Sequence, residues 1–155
     1  MTSRKPFVIL ASTFFYVGYL PLIPGTFGSI AGLFLFYLVK NNWPFYLLVT
    51  SALITLGFLV SGEAERIFNK KDARYIVIDE VTGMLLSLAF IPYDLRLVII
   101  AFFLFRLLDT LKPFPAGRIE GLKGGAGVMG DDIIAGLYTN IILQVVLRFA
   151  SFKTS

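Results

Sequence analysis

Hydrophobic positions along this chain gather into five long segments, roughly Ile23 to Val39, Trp43 to Ser61, Val81 to Tyr93, Leu97 to Leu108 and Ile133 to Phe149. Nothing between Pro6 and Val39 carries a charge, nor does anything between Asn41 and Gly62. Such runs exceed the ~20 apolar residues that a helix needs to cross a bilayer. The third and fourth segments are shorter, and at ~1.5 Å per residue they either extend into their charged flanks or form a partly inserted hairpin.

Polar and turn-forming residues separate the segments. Lys40-Asn41-Asn42-Trp43-Pro44 reads as a tight connection, and Pro92-Tyr93-Asp94 as a short turn. Glu63 to Arg74 is a polar loop or an amphipathic extension of the second segment. The stretch from Lys112 to Gly130 holds Pro113, Pro115 and six glycines, which predicts a long loop. The expected fold is therefore all-α, a polytopic membrane helical bundle of about four to five hydrophobic helices, with the polar motifs at converging helix ends.

Composition agrees with this pattern. The 155 residues suit one domain spanning 1–155, and 57% hydrophobic against 15% charged residues is too apolar for an ordinary soluble domain. Arg4 and Lys5 precede the first apolar run as they would in a cleaved signal peptide. The run contains Pro21, Pro24, Gly25 and Gly28 without a clear small-residue cleavage site, so it is read as retained.

Positive charge clusters at the N-terminus, between 63 and 80, and between 106 and 123, which puts those regions on the cytosolic side. The net charge of +4 fits loop bias and attraction to anionic lipid rather than nucleic-acid binding, because no basic run with interleaved aromatics is present.

Four polar motifs then fall at helix ends on one face. In Pro21 to Ser29, Thr26 reads either as a helix N-cap within a small-residue packing face or as a phosphate contact, together with Ser29 and the amides of the helix start. Asp79 and Glu80 open the third segment, where acids suit the helix dipole and, at a membrane edge, can hold a cation. Arg106, Asp109 and Lys112 share one helical stripe, either as an ion pair with a snorkelling lysine or as a metal ligand beside phosphate-binding cations. The glycine-rich stretch from Gly124 to Gly130 leads into Asp131 and Asp132. Flexibility plus an N-cap would also account for it.

The chain has no histidine and no cysteine, which excludes histidine-nucleophile and cysteine phosphatases as well as disulfides. Neither a P-loop nor a dinucleotide-binding glycine spacing is present. What survives is a set of hard oxygen donors, better suited to Mg²⁺ than to Zn²⁺.

Four blocks, PLIPGTFGS (Pro21 to Ser29), DARYIVIDEVTG (Asp72 to Gly83), FRLLDTLKPFP (Phe105 to Pro115) and GGAGVMGDDIIAG (Gly124 to Gly136), resemble the phosphatidylglycerophosphatase A family in content and order. The resemblance implies a multi-pass enzyme of the bacterial inner membrane, with its site on the cytosolic face. It would hydrolyse phosphatidylglycerol phosphate to phosphatidylglycerol and inorganic phosphate in glycerophospholipid biosynthesis. It also implies Mg²⁺ dependence.

Mapped onto that family, Asp79, Asp109 and Asp132 are expected to ligate Mg²⁺, and Glu80 or Asp131 to orient or deprotonate water. Arg106 and Lys112, with Thr26 and Ser29, are expected to hold the phosphate. Direct attack by water is the expected route, with an aspartyl-phosphate as the alternative. Two other classes use similar parts: a CDP-alcohol phosphotransferase, whose dense aspartate motif is missing here, and a cation transporter, whose acids belong midway along helices. Small-xxx-small faces could also serve a homo-oligomer.

Overall fold

The computed structural model describes residues 4–152, with side chains described through 149. Seven α-helices and one 3₁₀ turn form it, with no strand among the described residues. The helices are α1 (Lys5–Ser12), α2 (Pro24–Val39), α3 (Trp43–Phe68), α4 (Ile78–Leu88), α5 (Leu95–Leu111), α6 (Ala116–Ile119) and α7 (Gly125–Phe152). The 3₁₀ turn covers Val17–Tyr19.

The local chemistry fixes several boundaries. Asn42 caps α3 by accepting from the Phe45 amide at 3.1 Å, with Pro44 in the first turn where its missing N–H is harmless. Asp94 caps α5 by accepting from the Arg96 amide at 2.7 Å. At the start of α2, Pro24 occupies the first turn and no side chain caps the helix, so Thr26 lies inside the helix and is not its N-cap.

Two segments are longer than the hydrophobic pattern implies. The polar stretch after Ser61 continues α3 to Phe68, the amphipathic-extension alternative, and Asn69 ends it in the left-handed conformation at φ 50°. The predicted glycine loop ends early: Gly125 to Gly130 form the first turns of α7, so Asp131 and Asp132 stand more than a turn inside a helix rather than at its mouth. Packing explains this. A Cβ on Gly125 would strike the Phe58 carbonyl of α3, and one on Gly127 would strike the Leu122 carbonyl. These glycines permit close contact, and do not mark a flexible loop.

α4 is central, packing most extensively against α7 and α2. A Cβ on Gly32 of α2 would approach the Val81 carbonyl and the Met84 Cβ of α4 at 2.9 Å each. One apolar cluster surrounds the far half of α4, built from Phe36, Tyr46, Met84, Leu88, Phe105 and Leu143 among others. A second lies under its entry, where Val8, Ala64, Ile78 and Met129 meet. The Val77 amide donates to the Ser12 carbonyl at 2.9 Å, tying α1 to that entry.

α4 is helical for only 11 residues, about 16 Å, and then turns at Ala89 and Phe90, ahead of the expected Pro92–Asp94 turn, and runs as non-helical chain to α5. Its last carbonyls would be left without partners in an apolar bundle. Neighbouring helices supply them: Tyr46 donates to the Leu85 carbonyl, Asn140 to those of Ser87 and Ala89 at 3.2 and 2.7 Å, and Gln144 to that of Phe90 at 3.4 Å.

Two helices, α3 over Trp43–Phe68 and α7 over Gly125–Phe149, are long and apolar enough to cross a membrane. Length and composition thus support two of the four to five crossings expected. The outer surface of the bundle is apolar as well, with Phe34, Leu38, Leu48, Leu59, Phe103 and Phe149 exposed.

Candidate metal and phosphate site

Four helices deliver the polar motifs to one end of the bundle. Asp79 and Glu80 come from the first turn of α4, Arg106 and Asp109 from the last turns of α5, and Asp131 and Asp132 from α7. Close approach brings these helices together. A Cβ on Gly83 would lie 2.6 Å from the Phe105 ring and 2.9 Å from the Asp132 carbonyl, so α4, α5 and α7 meet there. At Gly25, a Cβ would strike the Glu80 carboxylate and lie 3.4 Å from the Arg106 guanidinium, so α2 joins them through a residue with no side chain.

Five carboxylates form two overlapping groups. Ligand oxygens of Asp79, Glu80 and Asp132 lie within 4.8 Å of one another, and so do those of Asp109, Asp131 and Asp132. Asp79 and Asp109, both expected as ligands, thus fall in different groups, with Asp132 common to both. Asp79, Asp131 and Asp132 are buried, exposed by only 6%, 6% and 3%.

Few donors offset this charge. Arg106 pairs with Asp109 at 2.8 Å. Lys112 bridges Asp131 at 2.7 Å and Glu120 at 2.8 Å. The Asp79 carboxylate accepts only the Glu80 amide, at 3.1 Å, among the described residues. Burial acts to lower the pKa of Lys112, but its bonds to Asp131 and Glu120 outweigh that and hold it above the ordinary lysine value.

One oxygen each of Glu80, Asp131 and Asp132 is buried with no hydrogen-bond partner. Buried acceptors of this kind are costly unless something positive meets them. An all-oxygen donor set with orphaned carboxylate oxygens fits a hard divalent cation such as Mg²⁺.

Beside the carboxylates lies an open cleft of ≈ 320 Å³, whose lining includes Thr26, Asp72, Arg74, Glu80 and Arg106. Thr26 therefore belongs to the site. Ser29 does not join it: its hydroxyl is fully buried and donates to the Gly25 carbonyl at 3.1 Å within α2. The amides of Thr26 and Phe27 likewise go to the Ile23 carbonyl, so the start of α2 brings the Thr26 side chain to the cleft rather than a row of free amides.

Sequence reasoning passed over Asp72 and Arg74 as functional residues. They were legible only as the first and third residues of the block that ends in Asp79-Glu80-Val81-Thr82-Gly83.

The profile of the family Phosphatidylglycerophosphatase A matches residues 10–147. A Bacteroides thetaiotaomicron protein, provisionally named a phosphatidylinositol-3-phosphatase, is 34% identical over 146 residues, covering 88% of this chain and 91% of its own. The Phosphatidylglycerophosphatase A of Escherichia coli is 35% identical over 132 residues, covering 83% and 77%. That of Haemophilus influenzae is 34% identical over 127 residues, covering 79% and 78%. No solved structure matches the chain.

Proposed function

This chain belongs to the phosphatidylglycerophosphatase A family, and from that premise we propose that it is a Mg²⁺-dependent phosphatase of the bacterial inner membrane. It releases inorganic phosphate from phosphatidylglycerol phosphate to leave phosphatidylglycerol, a step of glycerophospholipid biosynthesis. The observation that carries this reading is the convergence of five carboxylates with Arg106 and Lys112 at one end of an apolar bundle, three carboxylate oxygens being buried without partners.

Asp79, Asp109 and Asp132 would hold the metal, with Asp132 common to the groups of the other two, and bound metal would supply Lewis-acid polarisation of the phosphoryl group and an easier deprotonation of water. Arg106 presents a guanidinium fork at the cleft, suited to two phosphate oxygens, and Thr26 lines the same cleft. Lys112 adds positive charge while keeping Asp131 in position. Glu80 or Asp131, at the edge of the cluster, orients the attacking water or accepts its proton. Attack forms the new P–O bond as the bond to the glycerol oxygen breaks, and the departing oxygen takes a proton from solvent to leave as the alcohol.

Several crossings and a cytosolic site complete the reading. Two spanning-length helices and an apolar exterior support membrane embedding. Arg66, Lys70, Lys71 and Lys123 line one groove beside Gly121 and Gly124, consistent with the positively charged face that stays inside.

The test is phosphate release by the purified protein from mixed micelles of phosphatidylglycerol phosphate or phosphatidylinositol 3-phosphate, with Mg²⁺ or with EDTA. Mg²⁺-dependent release from the glycerol lipid is expected. Preference for the inositol lipid would reassign the substrate, and release that survives EDTA would remove the metal from the reading.

A further inference from the structure

The same carboxylates divide in a way that a single ion does not explain. Resting on the metal-assisted reading above, we infer that this is a two-ion centre bridged by Asp132. One divalent cation is held by Asp79, Glu80 and Asp132, and the other by Asp109, Asp131 and Asp132.

Three observations support the division. Each group of three closes on itself within 4.8 Å, and Asp132 alone belongs to both. A second, independent feature follows the same partition. The buried oxygens without partners are Glu80 Oε2 from the first group, Asp131 Oδ1 from the second, and Asp132 Oδ2 from the shared residue. Each half thus keeps an unused acceptor of its own, and the bridge keeps one too. Asp132 is also the least exposed of the three buried acids, at 3%. Nothing but a cation or a buried donor can satisfy an oxygen there.

Charge points the same way. Lys112 shares its charge between Asp131 and Glu120, so six carboxylates against Arg106 and Lys112 leave four negative charges. A phosphate monoester brings further negative charge, so one divalent ion leaves the complex strongly anionic, whereas two offset most of the charge. The second group is also pre-oriented for a cation. Arg106 holds one oxygen of Asp109 and Lys112 holds one oxygen of Asp131, fixing both carboxylates while leaving Asp131 Oδ1 free. In the first group the Glu80 amide does the same for Asp79. Paired ions about 3.5–4 Å apart suit clamping of both the attacking and the leaving oxygen.

Mn²⁺ serves as the probe, since it shares the preference of Mg²⁺ for oxygen donors. The full chain in detergent is equilibrated with Mn²⁺, and bound metal is counted by dialysis and read by electron paramagnetic resonance. Two Mn²⁺ per chain with an exchange-coupled spectrum are expected. Glu80→Gln and Asp109→Asn should each retain one ion with an uncoupled six-line signal, and Asp132→Asn should lose the coupling.

One ion per unsubstituted chain, two uncoupled ions, or none would overturn the inference. Because the unsubstituted protein decides this, a variant that fails to fold does not rescue it. Phosphate release is measured on the same preparation. Metal-dependent release with a single bound ion would leave the phosphatase reading standing without the second ion. Two coupled ions without release from any phospholipid would do the reverse.

Discussion

Lys112 donates to Asp131 at 2.7 Å, tying the end of α5 to the interior of α7. Lys112 is also the C-cap of α5, ending the helix before Pro113 in the left-handed backbone conformation at φ 48°. Lys112→Met should lower kcat by about 10²-fold, the scale for removing one preorganised donor. Lys112→Gly relieves the backbone but should be equally inactive, which separates the ammonium from the turn. Phosphate-release kinetics on both variants check this.

A pH consequence follows from the same pair. A lysine whose folded pKa is raised contributes stability that is fully present below its unfolded value of about 10.4, and loses it only as pH climbs through the folded value. Thermal unfolding in detergent should therefore show the same Lys112→Met destabilisation at pH 7 and pH 9. A difference that vanished by pH 9 would mean the ammonium is not held as described.

Asp79→Asn, Asp109→Asn and Asp132→Asn should each cut phosphate release by about 10²–10⁴-fold, since lost metal polarisation costs several kcal/mol at 1.36 kcal/mol per tenfold. Near-normal activity in all three would dismiss the assignment. With phosphate-labelled substrate, acid quench should trap no labelled protein. A labelled aspartate would replace direct attack by water.

Gly25→Ala places a methyl against the end of the Glu80 side chain, which can swing away. Activity should fall while the unfolding temperature holds. Gly83→Val instead drives carbon into the Phe105 ring and the Asp132 carbonyl, and overpacking of this kind costs about 1–3 kcal/mol or more. Unfolding and turnover measured side by side on the two variants distinguish the cases.

Asn140→Leu should destabilise by about 1–3 kcal/mol, because the Ser87 and Ala89 carbonyls lose their donor where no water replaces it. The change lies at the far end of α4 from Asp79, so the KM of the surviving folded enzyme should stay near that of the unsubstituted protein. A large KM shift with unchanged stability would contradict this separation.

Helix existence was legible because apolar runs and turn residues are local signals. The five hydrophobic segments correspond to α2, α3, α4, α5 and α7. What was lost depended on partners distant in sequence. Gly125 and Gly127 look like loop residues until the carbonyls of Phe58 and Leu122 are seen against them. Ser29 looks like a phosphate donor until its hydroxyl turns back to Gly25. α1 was missed because a helix of 8 residues leaves little pattern, and its contacts with α3 and the Val77 amide are tertiary. The acids and cations of the site were readable as types, whereas the double membership of Asp132 exists only in three dimensions.

The brevity of α2 has a consequence for the lipid around it. Its 16 residues rise about 24 Å, less than the ~30 Å hydrocarbon thickness of a typical bilayer. Local thinning of the bilayer is one way to match so short a wall, dimpling the leaflet inward. In the proposed setting that dimple lowers the head-group layer toward Asp131 and Asp132, which sit inside α7 rather than at its tip. A phospholipid would then descend to the carboxylates with its own bilayer, instead of being lifted out of it.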